Sequence, residues 1–331
     1  MVIIKTKNYG LMESIFQSYK MKTKINYRSL ILLLMAAGIW GFAFVAQDIA
    51  ADKLPPFTIT GTRSLFGFLF LFIISIVKSK IKKQPVFEQD NSKRKKLIIA
   101  SIICGVCFAF AYNFQQFGIA LYPDNASTSG RAGFLTGLYV LFVPLIGVIF
   151  LRKKIKLNVI IGLVFAIIGL YLLCFSNGIS NVYLGDLIVL ICGVFFALQI
   201  IFVDKYIKDV DAIKLAAYEL LVTGILSMIL AIIFEKIILK DIFNAILPLL
   251  YLGLFSCAIA DMFQIIGQKL SNNATIDAIA MSFESVFAVI GGAIILHQQP
   301  LLNELIGCIF MFLAIILSQI PISLNKKVLS K

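Results

Sequence analysis

With 60% hydrophobic residues, 14% charged residues and a mean hydropathy of +0.97 over 331 residues, the chain cannot be a soluble globular protein, in which about a quarter of residues are charged. In a soluble chain the formal charge of +13 would suggest nucleic acid, but here the bases gather at the ends of apolar runs, where they report orientation in a bilayer. The composition therefore predicts an all-α polytopic membrane protein.

The first 28 residues form a basic tail with Lys5, Lys7, Lys20, Lys22, Lys24 and Arg28. The apolar run that follows, from Ser29 to Val45, is long enough to span. A cut after Ala46 would place bulky Phe44 where a signal peptidase wants a small residue, so no cleaved signal is expected. Met21 opens a stretch that reads as naturally as Met1 does, and the choice of start stays open.

Ten apolar segments of spanning length follow, at 29–47, 56–77, 97–121, 131–151, 157–175, 182–203, 212–234, 242–266, 274–296 and 301–322. Turn-forming residues separate them, such as Pro55 and Pro56, Pro123 to Asn125, Ser176 to Gly178, and Asn272 with Asn273. Of the 30 lysines and arginines, 25 fall on the side of the termini, only Lys53, Lys236 and Lys240 on the other, and Arg63 and Arg131 in or at the membrane. The positive-inside rule then puts both termini in the cytoplasm.

The first segment carries Trp40, and the second carries Arg63, which can snorkel outward or pair with an acid. Residues 108–144 abruptly admit Asn113, Gln115, Gln116, Arg131, Thr136 and Tyr139 into apolar sequence. Hydrocarbon penalises unpaired polar groups, so this stretch reads as one wall of a binding pocket, or as amides that hold helices together. Pro144 would kink the fourth segment and make a gating bend. Gln199, Glu219, Asp261 and Gln264 are the polar residues of segments six to eight.

Segment nine carries Asp277 and Glu284, with Ala288 and Gly291 continuing one face at i, i+7, i+11, i+14. Glu284 lies about 15 Å into its helix. A charged, unpaired acid at that depth costs about 2.5–3.5 kcal/mol, so it should be protonated, paired or hydrated. Trp40, Phe108, Tyr112, Tyr139, Phe196 and Phe283 are candidate aromatic walls or simple packing residues.

The run LRKKIKLNVIIGLVF (151–165) matches LHQQPLLNELIGCIF (296–310), pairing Asn158 with Asn303 and Gly162 with Gly307. Each half would hold five helices, so the second inserts upside down relative to the first, as in inverted-repeat transporters whose solute site lies near the midplane. The expected organisation is a tail (1–28), a first repeat (29–175), a second repeat (182–322) and a C-terminal tail (323–331).

Other chemistries find no support. The six cysteines lie in apolar runs, and the Cys104–Cys107 pair has no second ligand pair, so these read as packing residues. The single histidine, His297, cannot build a metal site alone, and no phosphate-binding GxxxxGK[ST] motif is present. No enzyme activity, metal or cofactor is expected. A small-molecule solute and the lipid bilayer are the expected partners, nucleic acid is not, and pairing as a homodimer is left open.

The stretches GIWGFAFVAQD and LPPFTITGTRS, the run FGIALYPDNASTSGRAGFLTGLYVLFVPLIG, and the duplicated Asn-x-x-x-Gly turns together resemble the drug/metabolite transporter superfamily in its ten-helix, two-EamA-domain form. The resemblance covers about residues 30–322. It implies a secondary carrier of small organic metabolites, often an exporter of amino acids or related compounds, with a central cavity lined by both halves. It also implies a Glu-Pro pair in helix nine, where this chain has Glu284 followed by Ser285, and an acid after helices four and nine, where it has Lys153 and His297. The residues expected to contact solute are Trp40, Asn113, Gln116, Tyr139, Gln199, Gln264 and Glu284, with Glu284, Asp277 and Pro144 in coupling or gating. A protein that binds or flips lipid is the alternative.

Overall fold

The computed structural model describes residues 26–122, 128–150, 152, 154–174, 183–271, 273–295 and 302–320. The expectations for the two tails, Lys153, His297 and the side chain of Arg131 fall outside the described residues. Every described regular element is helical: α1 (Tyr27–Ala51), α2 (Pro56–Ile81), α3 (Asn91–Ala120), α4a (Thr128–Gly137), α4b (Tyr139–Ile149), α5 (Leu157–Cys174), α6 (Leu184–Tyr206), α7 (Ala212–Phe234), α8, α9a (Ala274–Met281), α9b (Glu284–Ile295) and α10 (Leu302–Gln319). Within α8, Ile246–Leu250 is α-helical, Tyr251–Ala260 is π-helical and Asp261–Leu270 is α-helical again, and a short helix at Leu239–Asn244 precedes it. Eight of the apolar helices are long enough to cross a bilayer, taking α4 and α9 each as one, and α5 and α10 hold shorter apolar stretches at Leu157–Leu172 and Leu305–Ser318.

The helix ends follow from local chemistry. Asn26, Asp90, Asp211 and Asn273 accept from backbone N–H groups in the first turns of α1, α3, α7 and α9a, which satisfies donors the helix itself leaves unpaired. Asp90 explains why α3 starts at residue 91, well before its apolar run. At α2, Pro56 occupies the first helical position, and the carboxylate of Glu235, from the end of α7, accepts from the Phe57 and Thr58 amides at 2.7 Å each. On the lysine-rich side, Asp211 also receives Lys78 at 2.7 Å and Asp209 receives Lys96 at 2.9 Å. Burial alone would raise the Asp211 carboxyl, but the Lys78 ammonium and two amide bonds outweigh it and hold it below the usual range.

The helices pack with a two-fold pattern. α5 lies against α10 and α2 against α7, while α3 on α6 is mirrored by α8 on α1, and α4 on α6 by α9 on α1. Exchanging the first five segments for the last five leaves the pairing unchanged, as inverted repeats require. Asn158 of the duplicated turn donates to Ser318 O at 2.6 Å, so that motif pins the start of α5 to the end of α10. Outward faces are apolar; Ile232, for example, is 70% exposed, which only a lipid environment makes favourable.

Both α4 and α9 are interrupted midway. In α4 the break is at Leu138, where Leu141 N bonds Leu138 O at 2.9 Å; in α9 it spans Ser282 and Phe283, with i→i−3 bonds from Ser285 to Ser282 O and from Val286 to Phe283 O at 3.2 and 3.0 Å. The offset that aligns Asn158 with Asn303 also aligns Leu138 with Phe283, and Tyr139 with Glu284. The break in α4 therefore belongs to the repeat. It is not at Pro144, which is buried inside α4b.

Candidate functional site

The two breaks face each other across a small cavity at the centre of the molecule. α1 contributes Trp40 and Gln47, α2 Arg63, α3 Tyr112 and Gln115, α4 Thr136 and Tyr139, α6 Phe196 and Gln199, α8 Ser256 and Gln264, and α9 Met281 and Glu284. Both halves thus build it. The cavity volume is about 30 Å³, room for roughly two waters. A larger solute requires the helices to part, and short i→i−3 stretches in mid-helix are where such bending is easiest.

Polar side chains surround this space in a bonded framework. Trp40 Nε1 donates to Ser256 O at 3.1 Å, and Gln115 Nε2 donates to Thr136 Oγ1 at 3.1 Å. Gln264 Nε2 donates to Gln199 Oε1 at 2.9 Å, and Gln199 Nε2 reaches both oxygens of Glu219 at 3.4 and 3.3 Å. Tyr112 Oη donates to Asp261 at 3.2 Å. Glu219 and Asp261 are fully buried.

Other polar atoms on the same walls have no hydrogen-bond partner. These are Gln47 Oε1, Arg63 Nε and Nη2, Tyr139 Oη, Gln264 Oε1 and Glu284 Oε1, six of the twelve such buried atoms among the described residues. Tyr139 and Glu284 interact electrostatically across the cavity, although their geometry falls short of a hydrogen bond. Native proteins satisfy nearly all buried polar atoms. Their concentration around one space makes it the candidate site for polar groups, whether of water or of a solute.

Of the residues singled out from sequence, Trp40, Tyr139, Gln199, Gln264 and Glu284 meet at this cavity. Asn113 does not: its amide donates to Ala109 O at 2.7 Å and to Ser227 Oγ at 2.8 Å, tying α3 to α7. Gln116 also faces elsewhere, donating to Gln47 O at 3.3 Å. Its neighbour Gln115 takes the cavity position, because adjacent helical residues point about 100° apart. Asp277 is buried in α9a near Ser271 and Asp204, away from the cavity. The stripe joining it to Glu284 assumed a continuous helix, which the break at Ser282 and Phe283 interrupts. Pro144 lines a separate pocket with Lys154, Lys156 and Thr275. Phe108 stands behind the wall, stacked on Tyr112 at 4.5 Å, and Phe283 packs on Phe287 at 5.7 Å.

In the sequence, Thr136 falls within the pocket-wall stretch without being named a solute contact, Gln47 and Ser256 are not singled out, and Arg63 has no position there. Arg63 is 1% exposed, with Cζ 4.1 Å from the Tyr112 ring centroid, so it neither snorkels nor forms a direct ion pair among the described residues. The π-helical stretch just before Asp261 is a signal that no periodicity can supply; such widened turns often occur at functional positions. Ser285, standing where the resembled family has proline, donates to Gly133 O at 3.0 Å and fastens α9b to α4a.

Comparison with known proteins gives a consistent result. The sequence model of a family described as "EamA-like transporter family" matches residues 28–175 and 183–319. The "Uncharacterized transporter YoaV" of Bacillus subtilis is 25% identical over 87% of this chain and 95% of its own length. An "Uncharacterized transporter" of Archaeoglobus fulgidus is 27% identical over 86% of this chain and 83% of its own, and "Protein PagO" of Salmonella typhimurium is 25% identical over 88% and 94%. A solved crystal structure, 16% identical, superposes with a TM-score of 0.69 over 88% of this chain and 98% of its own, a likeness of fold alone.

Proposed function

The chain belongs to the EamA-like transporter family, and from that premise we propose that it is a secondary, non-ATP carrier exporting small organic metabolites, amino acids or related compounds, across the cytoplasmic membrane. The observation that carries this reading is the convergence of unpartnered polar atoms from both halves on one central cavity. A solute with several hydrogen-bonding groups would satisfy them. Trp40, Tyr139, Gln199, Gln264 and Glu284 are the contacts proposed for it, with opening of the cavity at the breaks in α4 and α9. Flux in proteoliposomes of labelled amino acids, nucleosides and lipids, with and without a pH gradient, tests the proposal. Movement of lipid alone would replace it with the lipid-flipping alternative.

A second pocket, of about 510 Å³, lies among α2, α3, α6 and α7 and is walled by Phe57, Phe110, Phe114, Phe117, Leu226 and Leu230. Asn113 is its one amide. A flippase needs a polar path for the headgroup, which this wall lacks, so the central cavity remains the better solute site. Asn113→Ala should cost about 0.6 kcal/mol, the usual worth of an interhelical polar contact in a membrane. Flux per folded molecule should stay within about twofold in that variant. A loss of flux as large as that of Tyr139→Phe or Gln264→Ala would return Asn113 to the solute path.

The proposal includes both termini in the cytoplasm, supported by the 25 bases on their side of the membrane. Reporter fusions after residues 52, 124, 179, 240 and 298 are expected to register on the outer side. A cytoplasmic signal at two or more of them would reverse the orientation.

A further inference from the structure

Among the described basic side chains, Arg63 is the one with buried donor atoms that lack an acceptor. Its guanidinium is buried and lies over the Tyr112 ring. Asp261, an acid within electrostatic reach of it, already accepts the Tyr112 hydroxyl at 3.2 Å. No carboxylate lies within ion-pair distance of the guanidinium among the described residues, where the ion pairs found are Lys78–Asp211 and Lys96–Asp209. Nε and Nη2, both without an acceptor, form the side edge of the guanidinium. That edge presents two parallel N–H bonds at the spacing of the two oxygens of a carboxylate.

Of the remaining unpartnered atoms of the cavity, the Tyr139 hydroxyl can donate or accept and the other three are acceptors. Gln47, Gln264 and Glu284 each offer an oxygen acceptor with no donor. The cavity lining thus holds both an unused donor edge and unused acceptors. We infer that Arg63 anchors the solute's carboxylate in a two-pronged bond while the acceptors around Glu284 take its ammonium group, so that the carrier requires a carboxylate and not merely an amine.

A phosphate monoester fits less well. Arg63 is the one lysine or arginine lining the cavity, against Glu284 on the lining and Asp261 and Glu219 behind it, so a dianion would lack compensating charge. The inference rests on the carrier reading above and deepens it by naming the group recognised and the residue that recognises it.

The chain has a single tryptophan, and it is Trp40, on the cavity wall. Its fluorescence therefore reports on this site alone. The purified full chain would be titrated with four amino acids and their decarboxylated counterparts: phenylalanine and phenethylamine, leucine and 3-methylbutylamine, lysine and cadaverine, serine and ethanolamine. Phosphoethanolamine would be added as the phosphate probe. At least one amino acid is expected to change Trp40 emission, and its amine to bind at least about tenfold more weakly, the worth of one charge-assisted contact. Arg63→Lys keeps the charge but lacks the two-donor edge, and it should shrink that preference to about threefold or less.

Three results would overturn the inference: an amine or phosphoethanolamine binding as tightly as its amino acid, unchanged Trp40 emission with every amino acid, or full preference retained in a monodisperse Arg63→Lys protein. The amino acid and amine comparison needs no variant and stands even where Arg63→Lys fails to fold. Proteoliposome flux of the same compounds and of nucleosides separates the two levels. Flux without carboxylate preference removes only the role of Arg63, whereas no flux of any solute removes the carrier reading and this inference with it.

Discussion

Replacing Glu284 by glutamine is expected to reduce solute flux at least about tenfold, equivalent to ~1.4 kcal/mol in the barrier, and to flatten its dependence on pH, while the protein still inserts and stays monodisperse. Glu284 opens α9b at the centre of the bundle, is 3% exposed, and keeps Oε1 without a partner. The titratable and charged groups facing it are Tyr139 from α4, Cys192 from α6, and Arg63 and Tyr112 across the cavity. None of them is a direct ion-pair partner. In the proposed carrier a carboxyl in that position would meet a closed cavity in one conformation and water or a solute ammonium in another, so that its proton would come and go during the cycle. Glutamine preserves the shape and most of the hydrogen bonding and removes only the titration. A wild-type rate and pH profile in Glu284→Gln would reduce Glu284 to a structural acid.

Gly41→Val should be the most damaging substitution for stability near the site. At Gly41, α1 crosses α9b so closely that a Cβ would lie 2.4 Å from Phe287 Cβ, 2.7 Å from Glu284 O and 2.8 Å from Ala288 N. Two of these are backbone atoms, which cannot turn aside as the end of a flexible side chain can. Small residues at helix crossings let backbones approach in a bilayer, where packing replaces the hydrophobic effect as the force between helices. Overpacking of this kind costs about 1–3 kcal/mol, and valine against backbone belongs at the upper end. Gly41→Ala should lower the melting temperature in detergent, and Gly41→Val should yield little monodisperse protein. Gly147, where a Cβ would meet nothing within 4 Å, is the control, and Gly147→Ala should melt at or above the wild-type temperature. Equal behaviour of the Gly41 and Gly147 variants would mean that the α1–α9b crossing is looser than these distances require. Because the crossing touches the Glu284 carbonyl, a folded Gly41→Ala protein should also transport poorly.

Hydropathy and the distribution of bases along the sequence specify membrane helices, their places in the chain and the proposed orientation, since segment length and charge act on insertion one segment at a time. The duplicated Asn-x-x-x-Gly turn announces the repeat, and Glu284, Tyr139, Gln199, Gln264 and Trp40 stand out as polar or amphipathic residues at membrane depth. What depth does not carry is azimuth. Gln115 and Gln116 are equal in composition and nearly equal in depth, yet Gln115 lines the cavity and Gln116 bonds α1, because the packing of α3 against its neighbours decides which side of a helix faces inward. Asp277 falls off the expected stripe for a related reason: a 100° periodicity holds only while the helix is continuous, and the i→i−3 bonds at Ser282 and Phe283 interrupt it. The role of Arg63 is hidden for a third reason, since a lone base in a membrane helix has meaning only through what lies across from it. Tyr112 under its guanidinium, Asp261 already engaged, and an unused donor edge are relations between segments far apart in the chain, and only tertiary packing brings them together.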